Sequence, residues 1–368
     1  MLNSPQGKQS GDRFLHLERR LAAASVQVFA IRPAALGEGG AGGGDAGAVA
    51  SAVASARAEA GFAYGAATVT TRSALEALRG DRTPRASTIK RAVQRLLDQV
   101  LANEAAMLGL VTAGEDTDEI ASHMVAVAIL SIGLGRYLGL SRDQLYDLGF
   151  AALLHNLGMM RMPADLLHKP GKLTPEERAV IESHPWLGVI ALFNLRERGQ
   201  FPYRAMLAAY EHHMRQTVGG YPRPGRHSPV SFYARIIAVA DRYCAAVSVR
   251  SYHAPRCPAE VAQEFLSEAH QMADPALAFA LASYLGPYPP GTCVLLASGE
   301  LALVRWRHAD ARLAEQPLAL LIGDSQGRFV FPGTPVDLAE PAAVEADRRI
   351  VRVVSAWDLG IRARDHFV

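Results

Sequence analysis

Thiols are scarce. The chain has three cysteines in 368 residues, Cys244, Cys257 and Cys293, and no two of them form a CxxC pair. That argues against a disulfide framework and against a thiolate metal knuckle, and it suits a reducing cytoplasm. A charge excess is also missing. The formal net charge is +2, too small to point to polymeric nucleic acid or an anionic membrane as the main partner. No apolar run approaches 18 uninterrupted residues, so membrane insertion is not predicted. The opening "MLNSPQGKQSGDRF" lacks the apolar centre of a signal peptide. What is present is ordinary globular composition, 49% hydrophobic and 20% charged, at a length that supports two or three domains.

Three regions follow from composition and periodicity. Residues 1–86 form a weakly defined N-terminal segment. Its stretch "GEGGAGGGDAGAVASAVASARAEAG" reads as a flexible linker or a poorly specified helix. Residues 87–286 show apolar residues at helical spacing and read as a mainly α domain of about seven or eight helices. One helix begins at a capping-box pattern, Ser141 with Gln144. Another has Thr174 as N-cap, Pro175 at the first helical position and Glu177 at the third. It is expected to run on through "ESHPWLGVIALFNL", as the previous one is expected to run through "LLHNLGMM". Residues 287–368 form a small β-rich C-terminal extension, with "TCVLLA", "LALVRW", "LALLIG" and "RFVFPG" as strands between Gly, Asp and Ser turns.

Within the helical region His123, His155, His184, His212, His213 and Asp241 each fall in or at the end of a predicted helix. Glu119 precedes His123 by one helical turn, so the two share a face. His212 and His213 are adjacent. On a continuing helix their side chains point about 100° apart, which suits two different ions better than one. Imidazoles with carboxylates suit Zn, Mn, Fe or Co. Spacing alone does not separate such a site from histidines that are hydrogen-bonded parts of a core. Arg161, Lys169, Lys172, Arg223, Arg226 and Arg235 flank these segments. They form either an electropositive mouth or a solvated surface.

The segments "LLHNLG", "LHKPGKLTPEE", "ESHPWLG", "EHHMRQTVGGYP" and "ARIIAVADRYCA" occur in this order. Together they resemble the HD-GYP branch of the HD-domain phosphohydrolases, over about 87–285. The resemblance implies an HD-type helical bundle and two or three divalent metal ions, Fe or Mn favoured and Zn admissible. It implies hydrolysis of cyclic di-GMP, a bacterial second messenger, to pGpG or GMP. Glu119, His123, His155, His184, His212, His213 and Asp241 fall on the family's metal-ligand positions, and Asn156 on that of a further one. Gly220, Tyr221 and Pro222 match the signature whose loop lies beside the nucleotide. Arg250 matches a phosphate-contacting arginine, and His253 a position that commonly carries another basic residue. An arginine fork suits phosphate oxygens.

The match breaks at telling places. The family's "HDxGK" reads "HNLGM" here, with Asn156 for the aspartate and Met159 for the lysine. An acidic position is Met214, and the positions before the signature are Thr217 and Val218. The aspartate bridges two ions in the family. Asn offers one oxygen and an amide that only donates, so it serves one ion and removes a negative charge. Even changes outside the ligand shell cost about tenfold to a hundredfold in metal affinity. The lysine is thought to contact the scissile phosphate, and Met159 cannot supply such a donor, worth on the order of 3 kcal/mol at a reacting centre. Two expectations follow: a cyclic di-GMP phosphodiesterase of impaired activity, with Asn156, Met159 and Arg250 the catalytic positions to watch, or an inactive module that binds a cyclic dinucleotide or a signalling protein.

Overall fold

The computed structural model describes residues 46–80, 82–111, 119–167, 169, 171–195, 202–215, 220–223, 229–249, 254–267, 269, 272, 274–308 and 310–367. The helices begin with α1 (Ala46–Arg79), α2 (Ala86–Ala102), α3 (Glu104–Val111) and α4 (Glu119–Tyr137). Of the two readings of the Gly/Ala-rich stretch, the helix is the one formed from Ala46 on. From Ala60 it buries Tyr64, Ala67, Thr71, Ala74, Leu75 and Leu78, which fall along one stripe of the helix. Those side chains belong to the same core as α2 and α4, so packing does not break at residue 86.

The centre of that core is α4. Between Ala121 and Leu134 its apolar side chains are buried on all sides, as befits a helix without a polar face. By length and composition Ile120–Tyr137 could cross a membrane, but 83% of it is buried inside this fold. It packs against α1, α5 (Arg142–Leu154) and α10 (Phe232–Val247). The capping box of Ser141 and Gln144 starts α5 as predicted.

Two expected long helices are each interrupted. After Leu154 the chain turns through His155 and Asn156 into a 3-10 segment, Leu157–Arg161, which leads to the short α6 (Ala164–Leu167). Helix α7 (Pro175–Ile181) starts at the Thr174–Glu177 capping box, but it ends at Glu182, and α8 (His184–Asn194) begins afresh. Pro185 explains this break. It has no N–H for the Ile181 carbonyl and cannot continue the turn. The remaining helices are α9 (Tyr203–Glu211), α11 (Pro258–Ser267) and α12 (Pro275–Leu285). Twelve α-helices thus precede the sheet among the described residues, eleven of them from Ala86 on, where seven or eight were expected.

The four predicted strands are present as β1 (Cys293–Leu296), β2 (Leu301–Trp306), β3 (Leu318–Gly323) and β4 (Phe329–Asp337). A short helix, α13 (Pro341–Glu345), leads to a fifth strand that the sequence reading did not mark, β5 (Ile350–Val354). The antiparallel order is β4-β3-β2-β1-β5, with Cys293 opposite Leu303 and Val354. Alternation divides the strands between two faces. Cys293, Leu303, Leu320 and Ile322 join the helical core, whereas Val294, Leu296, Ala302, Val304 and Ala319 form a second small core. All three cysteines are free thiols.

One glycine sets the spacing of the site. A Cβ on Gly158 would lie 1.9 Å from the His184 carbonyl oxygen and 2.6 Å from the Gly188 nitrogen. At Gly158 the 3-10 segment therefore meets the α8 backbone directly. Gly158→Ala is expected to destabilise the protein by about 3 kcal/mol, at the upper end for overpacking. Urea unfolding would show this as a lowered midpoint with an unchanged slope.

Candidate metal centre

Five elements deliver the candidate ligands. His123 lies on α4, His155 in the turn after α5, His184 at the start of α8, His212 and His213 just past α9, and Asp241 on α10. Three of these places are helix ends or the turns that follow them, where backbone carbonyls lack helical partners. The histidines use those carbonyls. Nδ1 of His155 lies 2.7 Å from the Ala152 oxygen, and Nδ1 of His184 lies 2.8 Å from the Ile181 oxygen that Pro185 leaves free. Nδ1 of His212 lies 2.9 Å from the Ala209 oxygen. A carbonyl can only accept, so each Nδ1 carries the proton and each Nε2 presents a lone pair.

These lone pairs converge. Nε2 of His184 and Nε2 of His212 are 3.3 Å apart. With both protons on Nδ1, no hydrogen lies between them, and two acceptors face each other. Nε2 of His155 and Oδ1 of Asn156 are buried without any partner. Such orphaned atoms cost about 1–3 kcal/mol each unless something satisfies them. Divalent cations would satisfy such ring nitrogens.

The ligand atoms form two groups, His123 with His155 and Asp241, and His184 with His212 and His213, each within 4.8 Å. The ligand atoms of His212 and His213 both lie with that of His184, so one ion could reach both, in contrast to the expectation that they serve different ions. Their ring centroids are 4.0 Å apart. In the other group, Nε2 of His123 lies 2.7 Å and Nε2 of His155 3.7 Å from Oδ1 of Asp241. Both groups could hold a divalent ion, and their nitrogen and oxygen donors suit Fe, Mn or Zn.

Burial keeps His184, His212 and His213 in their ligating form. Burial, reinforced by His213, takes His184 down to about 3. Burial likewise holds His212 well below the ordinary imidazole range and lowers His213. For Asp241 burial alone would raise the pKa. The hydrogen bond from His123, with the His155 ring close by, outweighs it and leaves the carboxyl well below its usual value.

Above this floor lies an open cleft of about 860 Å³, within the range of small-molecule sites. Gly220, at φ +76°, turns the chain into it, and a Cβ there would meet the His213 carbonyl oxygen at 2.4 Å. The turn is closed by a bridge between Met214 and Gly220 and by the Tyr221 N–H donating to the His213 carbonyl. It lays the Tyr221 ring 4.6 Å from that of His213. Burial pushes the Tyr221 phenol up, so it stays a neutral donor. Pro222 also lines the cleft.

Among the six flanking cations singled out from sequence, Arg223 lines the cleft. Lys169 is taken by Glu177 and Arg235 by Asp274. Arg226 lies outside the described residues, as do Arg250, His253, Thr217 and Val218. Glu119 opens α4 one turn before His123, and its side chain is outside them too. Sequence reasoning missed Arg178, Arg215 and Arg242, which line the cleft from α7, the loop after α9, and α10. Nothing in their local sequence marks them, because the cleft is assembled from distant segments.

The three depressed histidines make the metal-free protein sensitive to acid. Below about pH 6.5 the unfolded chain takes up protons that these folded rings refuse, so stability rises with pH across the acid range. The lowered Asp241 adds a loss of the same sign at still lower pH. The urea midpoint of the metal-free protein is expected to fall between about pH 7.5 and about pH 5. An unchanged midpoint would mean that the rings are not held neutral.

Comparison with known proteins agrees with this arrangement. The model of the HD domain family matches residues 74–277, more than half of the chain. A cyclic di-GMP phosphodiesterase of Pseudomonas aeruginosa is 32% identical over 72% of this chain and 63% of its own length. One from Thermotoga maritima is 33% identical over 42% of this chain and 41% of its own. A 3'3'-cGAMP-specific phosphodiesterase of Vibrio cholerae is 29% identical over 43% and 30% respectively. The chain therefore spans less than two thirds of each of these relatives. A solved HD-GYP-type protein from Bdellovibrio bacteriovorus shares the fold, with TM-score 0.50 and 20% identity over 62% of this chain and 72% of that one. With the two histidine groups, the Gly220-Tyr221-Pro222 loop and the matched helical core together, the chain belongs to the HD domain family, in its HD-GYP branch.

Proposed function

We propose that this protein is a metal-dependent phosphodiesterase acting on a cyclic dinucleotide, cyclic di-GMP foremost, with pGpG or GMP as product and a low rate. The observation that carries this reading is the convergence of ring nitrogens, that of His155 unpartnered and those of His184 and His212 facing each other, below a cleft rimmed by arginines. Divalent ions held there would activate water and screen phosphate charge. His123, His155 and Asp241 would hold one ion, and His184, His212 and His213 another, with Glu119 the nearest further carboxylate in sequence. Tyr221, standing over His213, would orient the nucleotide, with Arg250 and His253 as further phosphate contacts.

The low rate rests on Asn156 and Met159. Asn156 retains a free, buried Oδ1, so it keeps one donor atom while losing the charge and the second oxygen of a carboxylate. Met159 has no donor for a developing charge. The same two residues favour a second reading, in which the domain binds a cyclic dinucleotide or a signalling partner without turnover.

The test is chromatographic detection of pGpG and GMP after incubating the 368-residue chain, reconstituted anaerobically with Fe(II) or Mn(II), with cyclic di-GMP. Product above a His155→Ala blank is expected. Asn156→Asp with Met159→Lys is expected to raise the rate by at least about tenfold, roughly one lost electrostatic contact. Bound metal and bound nucleotide without product would select the second reading. A metal-free, inert double variant would overturn both.

A further inference from the structure

The cleft rim carries more positive charge than its surroundings neutralise. Four arginines line it, Arg178, Arg215, Arg223 and Arg242, against two carboxylates, Glu182 and Asp241. Asp241 is taken by His123 and His155. Arg178 reaches Glu182 at 3.8 Å. Arg242 reaches Glu264 at 3.3 Å, but Arg256 holds that carboxylate more closely, at 2.7 Å. Arg215 and Arg223 have no acidic partner among the described residues, and both are exposed.

Their placement is set by backbone. The Met214–Gly220 bridge and the Tyr221 N–H bond to His213 draw the ends of the loop together. Arg215 follows one end and Arg223 the other, so they flank Tyr221 at the mouth of the cleft. Two unpaired guanidinium groups repel each other in an empty cleft and are stabilised when an anion lies between them. Their planar forks match phosphate oxygens better than an ammonium does.

A cyclic dinucleotide carries two phosphodiesters. Cleavage requires one of them on the histidine floor, which leaves the other at the rim. We propose that Arg215 and Arg223 clamp the phosphodiester that is not cut. This rests on the function proposed above. The clamp grips charge rather than base, so it accepts cyclic di-GMP and 3'3'-cGAMP alike. It also keeps hold of the surviving diester of pGpG, which makes the linear product an inhibitor.

The experiment measures binding of cyclic di-GMP and of pGpG to the Mn(II)-loaded chain by calorimetry. The chains compared are the unaltered protein, Arg215→Ala, Arg223→Ala, the double alanine variant and the double lysine variant. Arg161→Ala, an exposed cation outside the cleft lining, controls for general charge. Each alanine is expected to weaken both ligands by on the order of tenfold, and the pair more, as for hydrogen bonds to charged groups. The loss should appear in KM more than in kcat. The lysine pair should regain part of it, and Arg161→Ala should stay within twofold. Both side chains are exposed, and far-UV circular dichroism with metal content verifies that the variants are folded. A double alanine variant that binds cyclic di-GMP within twofold of the unaltered chain overturns the clamp alone. An unaltered, metal-loaded chain that binds neither ligand overturns the clamp and the proposed function together.

Discussion

Leftover carbonyls at helix ends hold this centre in place. His155, His184 and His212 are each tethered through Nδ1 to a carbonyl of the preceding turn, and each is thereby forced to aim an unprotonated Nε2 inward. Pro185 creates one of these acceptors by denying Ile181 its helical partner. The arrangement works against the stability of the metal-free chain. It buries neutral rings, sets lone pairs against each other and leaves Asn156 Oδ1 without a partner. The apolar mass around α4, continuous with α1 and with one face of the sheet, offsets that cost.

Much of the plan could be read in the sequence, and the failures have physical reasons. Both capping boxes stand where their residues placed them, because capping is decided within four residues. The histidines stand out because they recur in or beside helical segments, but it is the ordered run of motifs around them, not their spacing, that marks them as a set. The helix breaks after Leu154 and at Glu182 were harder. Apolar periodicity continues across both, and in the second case Pro185 was the local signal that outweighed it. The packing of α1 was hidden by its alanines, which bury well but give little contrast between faces. Strand β5, "IVRVV", carries an arginine and lies at a sheet edge, so its pattern is weak. The rim arginines could not be found from any local pattern, since only the tertiary fold brings Arg178, Arg215 and Arg242 to one cleft.

The substitutions that separate this chain from its family's pattern affect the site unequally. Asn156 is buried next to His155 and keeps an oxygen free, so it changes charge more than shape. Met214 lines the cleft where an acidic side chain is the family's choice, which further lowers the negative charge there. Met159 is half-buried in the 3-10 segment and is not part of the lining. The net result, among the described residues, is a floor with Asp241 as its one carboxylate beneath a rim rich in arginine. Such a balance weakens attraction for cations at the floor and strengthens it for anions at the mouth.

The tethering of imidazoles to main-chain oxygens has an evolutionary corollary. Every residue has a carbonyl, so Ala152, Ile181, Ala208 and Ala209 can be exchanged for other side chains without removing the acceptors on which the rings depend. The scaffold of the centre is therefore buffered against substitution at its anchor points. Drift registers instead at the positions whose own side chains do the chemistry, and a lineage can lose a bridging carboxylate or a lysine while the ring geometry around them is inherited intact.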